Sequence, residues 1–261
     1  MAVLDFDGVI CDSFYDSILT ACNTYINMFP GHRLPVTSAL RGKEVFGFAE
    51  KNRLFAKQFH DLMPLGNFAH DYYVILNILE NHAFSEIRDQ QSFDTYKERC
   101  SADRIDEFQK KFYELRSSMQ TQHPREWTEQ NPPFPGVVSA VRALSERCTL
   151  AVATSKDFRS VAMLMESYGI SGLFNAENIL DKDYARSKRE HLETFARQHN
   201  VEYNRIHFID DKLLHLVSAA DLGVNLYLST WGFNTDREWA EAKSRGFSLL
   251  TIDGLQTLGA E

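Results

Sequence analysis

The sequence predicts an α/β protein with a parallel β-sheet and a large helical insertion after the first strand. From residue 137 to residue 252, helix-like and strand-like segments alternate, which is typical of a parallel sheet with crossover helices. A short strand-like segment also opens the chain, and helical periodicity then dominates from about Ser13 to about Gln130. The proline-rich residues 132–136 interrupt any helix there. The first strand and the C-terminal half are therefore expected to form one sheet.

Residues 3–6 form the first predicted strand, and Gly8 permits a tight turn directly after it. In the insertion, apolar residues recur three and four positions apart and so share one face of a helix. The clearest such stripe, with Ser101 as a candidate cap, comprises Ile105, Phe108, Phe112, Leu115 and Met119. We interpret it as core packing of the insertion. Two further helices are predicted over residues 38–60 and 68–80.

The C-terminal half supplies the remaining elements in alternation. Predicted strands cover residues 149–154, 206–209, 224–228 and 248–252, with a weak extended segment near Phe174. Predicted helices cover residues 137–147, 159–168, 188–199, 213–220 and 235–245, and Asp157 is a candidate cap for the second of them.

Composition and charge restrict the class of protein and its partners. The 261 residues are 44% hydrophobic and 25% charged, which is ordinary for a globular protein that buries a core. A net charge of −8 argues against nucleic acid as a partner. No segment has the ~18 apolar residues that a membrane span requires. The four scattered cysteines form no zinc or disulfide pattern, which favours reduced thiols and a cytoplasmic location. The sequence does not indicate an oligomeric state.

Polar residues of unusual type follow three of the predicted strands. Asp5 and Asp7 end the first strand and lie on the same side of the chain. The next ends in Thr154 and Ser155, and a later one in the adjacent Asp210 and Asp211. Ligands of parallel sheets bind beyond the carboxyl ends of the strands, so these groups are expected to converge. A cluster of carboxylates without Cys or His favours Mg²⁺ over zinc or copper, and Mg²⁺ commonly takes a phosphate oxygen as a further ligand.

These motifs resemble those of the haloacid dehalogenase-like superfamily. The resemblance rests on the first strand ending Asp5-Phe6-Asp7-Gly8-Val9, the strand ending Ala153-Thr154-Ser155, an isolated Lys188 and the pair Asp210-Asp211. Residues 220–224 followed by Trp231-Gly232 are also similar to that family. The resemblance implies a Rossmann-like core over residues 1–13 and 133–261 and an α-helical cap domain over residues 14–132. Such caps occur in relatives of phosphoglycolate phosphatase and β-phosphoglucomutase, although this insertion is longer.

The resemblance also implies a role for each matching residue. Asp5 would attack phosphorus and form an aspartyl-phosphate, and Asp7 would protonate the leaving alcohol and then activate water. Thr154, Ser155 and Lys188 would bind the phosphate. Asp5, Asp7 through its backbone carbonyl, Asp210 and Asp211 would hold Mg²⁺.

The chain departs from the family pattern beside the metal ligands. A small residue often stands where Asp210 does, and an acidic residue is common four positions after Asp211, where this chain has His215. Lys156 and Lys182 are alternatives to Lys188, but Lys188 opens a helix and precedes Asp210 by 22 residues, as the family pattern expects.

The predicted function is Mg²⁺-dependent hydrolysis of a phosphomonoester of a small metabolite, with the cap excluding water when it closes. A phosphomutase of the β-phosphoglucomutase type and a binding or regulatory protein with a vestigial site are the alternatives. Dehalogenation is disfavoured, because a halide leaving group does not need the acid that Asp7 supplies.

Overall fold

The computed structural model describes residues 1–66, 68–185 and 187–259. Asn67, Arg186, Ala260 and Glu261, which fall within the predicted cap and core ranges, lie outside the described residues. The chain divides into two compact units. The sheet unit comprises Met1–Asp12 and Pro132–Glu261, and the helical unit comprises Ser13–Asn131.

The sheet unit contains a six-stranded parallel sheet. Its strands are β1 (Ala2–Leu4), β2 (Leu150–Ala153), β3 (Ile179–Leu180), β4 (His207–Asp210), β5 (Asn225–Ser229) and β6 (Ser248–Leu250). The strand order is β3-β2-β1-β4-β5-β6. The predicted α/β class, with a parallel sheet and a separate helical part, is confirmed.

The first strand lies in the middle of this sheet. Leu4 pairs in register with Val152 of β2 on one side and with Ile209 of β4 on the other. All three residues of β1 are fully buried, as expected for a central parallel strand that is covered on both faces. The carboxyl ends of β2, β1 and β4 therefore lie side by side.

Helices of the sheet unit flank these strands. They are α8 (Val137–Ser145), α9 (Phe158–Tyr168), α10 (Lys188–His199), α11 (Leu213–Ser218), α12 (Asp236–Ser244) and α13 (Ile252–Thr257). One apolar cluster includes Val3, Phe208 and Leu226 from the sheet and Leu192 and Phe195 from α10. As predicted, Asp157 caps α9, because its side chain accepts the Ser160 N–H. These contacts fix the helix N-termini at the carboxyl edge of the sheet.

The helical unit comprises α1 (Phe14–Met28), α2 (Glu44–Lys51), α3 (Arg53–Leu62), α4 (Asp71–Glu80), α5 (Gln90–Arg99), α6 (Ala102–Gln122) and α7 (Pro124–Glu129). The predicted stripe lies on α6, where Phe108 and Phe112 are fully buried. Asp16 of α1 is buried with Arg116 at 2.8 Å and accepts the Trp127 indole N–H at 3.2 Å. This polar cluster joins α1, α6 and α7.

Two predicted elements differ from the structure. The extended segment expected near Phe174 is instead β3 at Ile179–Leu180, and Phe174 follows a short 3₁₀ turn. The single helix expected over residues 38–60 is two helices, α2 and α3, which meet at Asn52. Ser101 occupies the N-cap position of α6, but its side chain makes no capping hydrogen bond. Among the described helices, none is long and apolar enough to cross a lipid bilayer.

Candidate active site

A glycine turn directly after β1 sets the geometry of the site. Gly8 has a φ of +83°, a conformation that glycine adopts readily. A Cβ atom at this position would lie only 2.1 Å from Oδ2 of Asp211. The turn therefore requires glycine both for its backbone conformation and for the close approach of the Asp211 carboxylate.

Lys188 joins the ends of all three central strands. Its Nζ lies 2.8 Å from Oδ1 of Asp5 and 3.3 Å from Oδ2 of Asp210, and it donates a hydrogen bond of 2.6 Å to the Ala153 carbonyl. The lysine side chain is 3% exposed. Ser187 forms a capping box with Glu190 and so fixes the start of α10, where Lys188 stands. Thus the structure brings Lys188 to Asp5, whereas the alternative Lys156 pairs with Asp7 and the alternative Lys182 pairs with Asp183.

Asp5 is buried, and its Oδ1 also accepts the backbone N–H of Phe6 at 2.7 Å. These two contacts hold the carboxylate in one orientation. The neighbouring acid Asp7 is more exposed and has a different partner, since its Oδ1 lies 3.0 Å from Nζ of Lys156. Asp5 and Asp7 are thus each paired with a separate buried lysine.

Thr154 and Ser155 follow β2 at the same edge of the sheet. Thr154 is buried, and its hydroxyl oxygen accepts the backbone N–H of Lys156 at 3.0 Å. This contact closes the turn that directs the lysine side chain towards Asp7. Ser155 is half-buried. Both residues lie on the strand that neighbours the Asp5 strand.

Asp210 and Asp211 point in different directions. Asp210 is fully buried, and both of its carboxylate oxygens lie 3.0 Å from Nδ1 of His215. The Asp211 carboxylate faces the Gly8 turn, and its Oδ2 accepts the Phe233 N–H at 3.0 Å. Adjacent residues at the end of a strand alternate in direction, which explains the divergence. Asp211 Oδ1 is buried and has no hydrogen-bond partner among the described residues.

His215 and Lys156 were not predicted from the sequence as site residues. His215 Nδ1 lies 4.0 Å from Oδ2 of Asp5, so the imidazole borders both Asp5 and Asp210. The signal in the sequence for His215 was its position four residues after Asp211, where the family commonly has an acidic residue. In the structure this position lies on α11. For Lys156, the signal was its position at the end of β2. Neither signal specifies a contact until the turns are known.

Burial and neighbouring charges shift the pKa values of the acidic and basic groups in the site. Burial is the main cause that raises the pKa of Asp5, from 3.8 to about 6, against the opposing effect of Lys188. Burial and then the neighbouring Asp210 and Asp5 raise the pKa of Asp211 well above its usual value. Burial would also raise the pKa of Asp210, but His215 and Lys188 outweigh it and hold that pKa below its usual range. Burial by itself would lower the pKa of Lys188, but the neighbouring Asp5 and Asp210 carboxylates outweigh it and raise that pKa above its usual value.

An excess of buried negative charge at these strand ends suits the binding of a divalent cation. The buried acids at these strand ends are Asp5, Asp210 and Asp211, and the buried ammonium group of Lys188 contacts Asp5 and Asp210. With all three acids ionised and the histidine neutral, two negative charges remain. Buried like charges are costly unless a cation is placed among them. The buried, unpartnered Oδ1 of Asp211 is a further oxygen that a hard cation can use. The donor set therefore suits Mg²⁺ or a similar ion.

The family model for haloacid dehalogenase-like hydrolases matches residues 1–223, which is most of the chain. The chain belongs to this family. The enzyme class expected from the strand-end motifs is thereby confirmed at the level of a hydrolase. The chain has no significant match among curated proteins.

Solved structures of this hydrolase family share the fold. A predicted phosphoglycolate phosphatase from Lactobacillus delbrueckii subsp. bulgaricus is 17% identical with a TM-score of 0.66, covering 99% of this chain and 97% of that one. A predicted phosphoglycolate phosphatase from Haemophilus somnus is 16% identical with a TM-score of 0.59, covering 99% and 95%. A family hydrolase from Streptococcus pneumoniae is 15% identical with a TM-score of 0.61, covering 99% and 96%. At these identities the likeness establishes the fold of the hydrolase.

Asp211→Asn is expected to stabilise the metal-free hydrolase and to remove its response to Mg²⁺. Asparagine keeps an acceptor for the Phe233 N–H while removing a buried charge that burial, Asp210 and Asp5 all disfavour. Thermal unfolding with a chelator should give a higher Tm for the variant, by about 2–4 °C for each kcal/mol relieved. Added Mg²⁺ should raise the Tm of the wild type but not of the variant. An equal Mg²⁺-induced rise in both proteins would contradict a role for Asp211 in holding the metal.

The stability of the metal-free hydrolase should depend on the titration of Asp5. Its pKa is raised from 3.8 to about 6 on folding, so the folded chain holds this proton more tightly than the unfolded chain. The resulting stabilisation is fully present below the unfolded pKa and is lost as the pH rises through about 6. Asp5→Asn buries no such charge, so it should gain stability relative to the wild type over this pH window. Denaturant unfolding at a series of pH values measures the free energy of unfolding of both proteins. A difference between the two free energies that is constant with pH would contradict the raised pKa of Asp5.

Proposed function

We propose that this hydrolase cleaves phosphomonoesters of small metabolites, with Mg²⁺ and through an aspartyl-phosphate on Asp5. The observation that supports it most strongly is the pair of separately held acids. Lys188 holds the Asp5 carboxylate at 2.8 Å, and Lys156 holds the Asp7 carboxylate at 3.0 Å. One acid is thereby available as a nucleophile and the other as a proton donor and acceptor.

In the first proposed step, a carboxylate oxygen of Asp5 attacks phosphorus as the bond from phosphorus to the ester oxygen breaks. Asp7 gives its proton to the departing alkoxide, which leaves as an alcohol. Lys188 offsets the charge on the transferring phosphoryl group, and the Thr154 hydroxyl and Ser155 bind its other oxygens. Positioning and charge stabilisation account for most of the rate in phosphoryl transfers of this kind.

In the second proposed step, Asp7 takes a proton from water as the water oxygen attacks phosphorus. The bond between phosphorus and Asp5 breaks, which releases inorganic phosphate and restores both acids. When bound, Mg²⁺ would neutralise phosphate charge and orient the phosphate for in-line attack. Asp5, the Asp7 carbonyl, Asp210 and Asp211 are the groups that we propose hold it.

The proposed substrate class rests on the names of similar solved structures. Two of the similar structures carry the name phosphoglycolate phosphatase, so small phosphorylated metabolites are the first substrates to examine. The net charge of −8 gives no reason to expect nucleic acid as a partner. We further propose a cytoplasmic location, which agrees with four scattered cysteines whose spacing forms no disulfide framework.

A phosphatase assay over a panel of phosphorylated metabolites, with and without Mg²⁺, tests the proposal. Phosphoglycolate and several sugar phosphates belong in the panel. We expect Mg²⁺-dependent release of inorganic phosphate from at least one compound, and none with Asp5→Asn. Isomerised sugar phosphate without free phosphate would favour the phosphomutase alternative instead. No turnover across the panel, with normal ligand binding, would favour the vestigial site.

A further inference from the structure

We infer that His215 supplies a nitrogen ligand to the metal site, so that this hydrolase binds later transition-metal dications such as Co²⁺ and Ni²⁺ more tightly than an all-oxygen site would. The inference rests on the proposed function, because it concerns the same cation. It goes beyond that function because it specifies which metal ions the site prefers. His215 lies four residues after Asp211, a position at which the family commonly has an acidic residue.

The geometry around His215 suits a bound cation. One ligand atom from each of Asp5, Asp210 and His215 lies within 4.8 Å of the other two. His215 Nδ1 is 3.0 Å from each oxygen of Asp210 and 4.0 Å from Oδ2 of Asp5. Neighbouring ligands of an octahedral ion, each about 2.1 Å from the metal, are separated by about 3 Å, and opposite ligands by about 4 Å. These separations therefore allow all three residues to bind one ion.

A second feature of the site indicates a cation independently of this group. Asp211 is fully buried beside Asp210, and its Oδ1 has no hydrogen-bond partner among the described residues. A buried carboxylate oxygen without a donor is costly unless a cation approaches it. The imidazole lies at the same strand end, so this edge of the sheet offers nitrogen as well as oxygen donors to a cation.

Nitrogen ligation changes which metal is favoured. Carboxylate and carbonyl oxygens suit Mg²⁺ and Mn²⁺, whereas imidazole suits later first-row metals such as Ni²⁺ and Zn²⁺. Replacing one carboxylate ligand with an imidazole also removes a negative charge, which weakens the attraction for hard ions such as Mg²⁺. His215 should therefore shift the selectivity of the site towards Co²⁺ and Ni²⁺.

A purely structural His215 has different consequences. In that case, the imidazole only donates a hydrogen bond to Asp210 and competes with the cation for that carboxylate. Removing it would then leave metal affinity unchanged or make it tighter. The sign of the change in affinity on substitution thus separates the two roles.

The test compares the wild type, His215→Gln and His207→Gln. His207 is the matched control, because it begins the same strand, β4, that ends at Asp210, and its side chain contacts Tyr227. Calorimetric titration with Co²⁺ and with Mg²⁺ gives the affinities. Pulsed electron paramagnetic resonance of the Mn²⁺-loaded proteins detects modulation from a directly bound histidine nitrogen. Neither measurement depends on turnover.

We expect His215→Gln to weaken Co²⁺ binding by about 10-fold or more and to change Mg²⁺ binding much less. The nitrogen modulation should be present in the wild type and in His207→Gln and absent from His215→Gln. Tight Mn²⁺ binding without nitrogen modulation in the wild type, with phosphatase turnover intact, would overturn the inference and leave the proposed function standing. Failure of the wild type to bind any of these ions would overturn both.

Discussion

Asp5→Asn is expected to lower kcat on any phosphomonoester substrate by about 10⁴-fold or more. The amide cannot attack phosphorus, so the reaction loses its covalent route and retains only the positioning provided by the rest of the site. The side chain keeps its size and its Oδ1 acceptor for the Phe6 N–H and Lys188. Steady-state kinetics of folded protein, verified by circular dichroism, measures the effect.

Asp157→Asn is the matched control for this loss. Asp157 follows the neighbouring strand β2, and its side chain caps α9 by accepting the Ser160 N–H, which asparagine also does. The control should keep kcat close to that of the wild type. Turnover by Asp5→Asn within a few-fold of wild type would contradict the assignment of Asp5 as the nucleophile.

Lys188→Met is expected to damage both stability and catalysis. The lysine is 3% exposed and neutralises Asp5 and Asp210, so its removal leaves two buried carboxylates facing each other. Breaking a buried charge pair by removing one partner costs about 3–5 kcal/mol. Loss of the charge that we propose acts on the transferring phosphoryl group should also lower kcat by about 10²–10³-fold. Thermal unfolding and kinetics at a temperature below both transitions measure the two effects separately.

Lys182→Met is the control, because Lys182 is the neighbouring lysine that sequence alone left as an alternative. Its ammonium contacts Asp183 at the surface, with the lysine side chain 36% exposed. We expect near-wild-type Tm and kcat for this variant. A larger loss of kcat with Lys182→Met than with Lys188→Met would show that the wrong lysine has been assigned to Asp5.

Much of the fold was predictable because the sheet is parallel and the helices are amphipathic. The central strands are short apolar runs, and their ends carry polar residues that a buried parallel strand does not tolerate inside. The edge strand was not predictable in the same way. β3 has only two residues, and the apolar Phe174 nearby is buried without joining the sheet. Similarly, periodicity over residues 38–60 did not reveal the break at Asn52 between α2 and α3.

The candidate site was predictable as a set of strand ends but not as a set of contacts. Sequence indicated that Asp5, Lys188 and Asp210 would meet, because β1 was expected near the later strands. It could not specify that Asp210 turns to Lys188 and His215 while Asp211 turns to Gly8. Those directions depend on the alternation at the end of β4 and on the close approach of the Gly8 turn.

Trapping the phosphorylated enzyme tests the central proposal most directly. Asp7→Asn is mixed with an aryl phosphate, whose good leaving group needs little help from an acid, while hydrolysis of the intermediate still needs Asp7 as a base. We expect one equivalent of released phenol and a mass increase of one phosphoryl group on the peptide that contains Asp5. A phosphoryl group on another residue, or phenol release without any phosphorylated peptide, would contradict nucleophilic attack by Asp5.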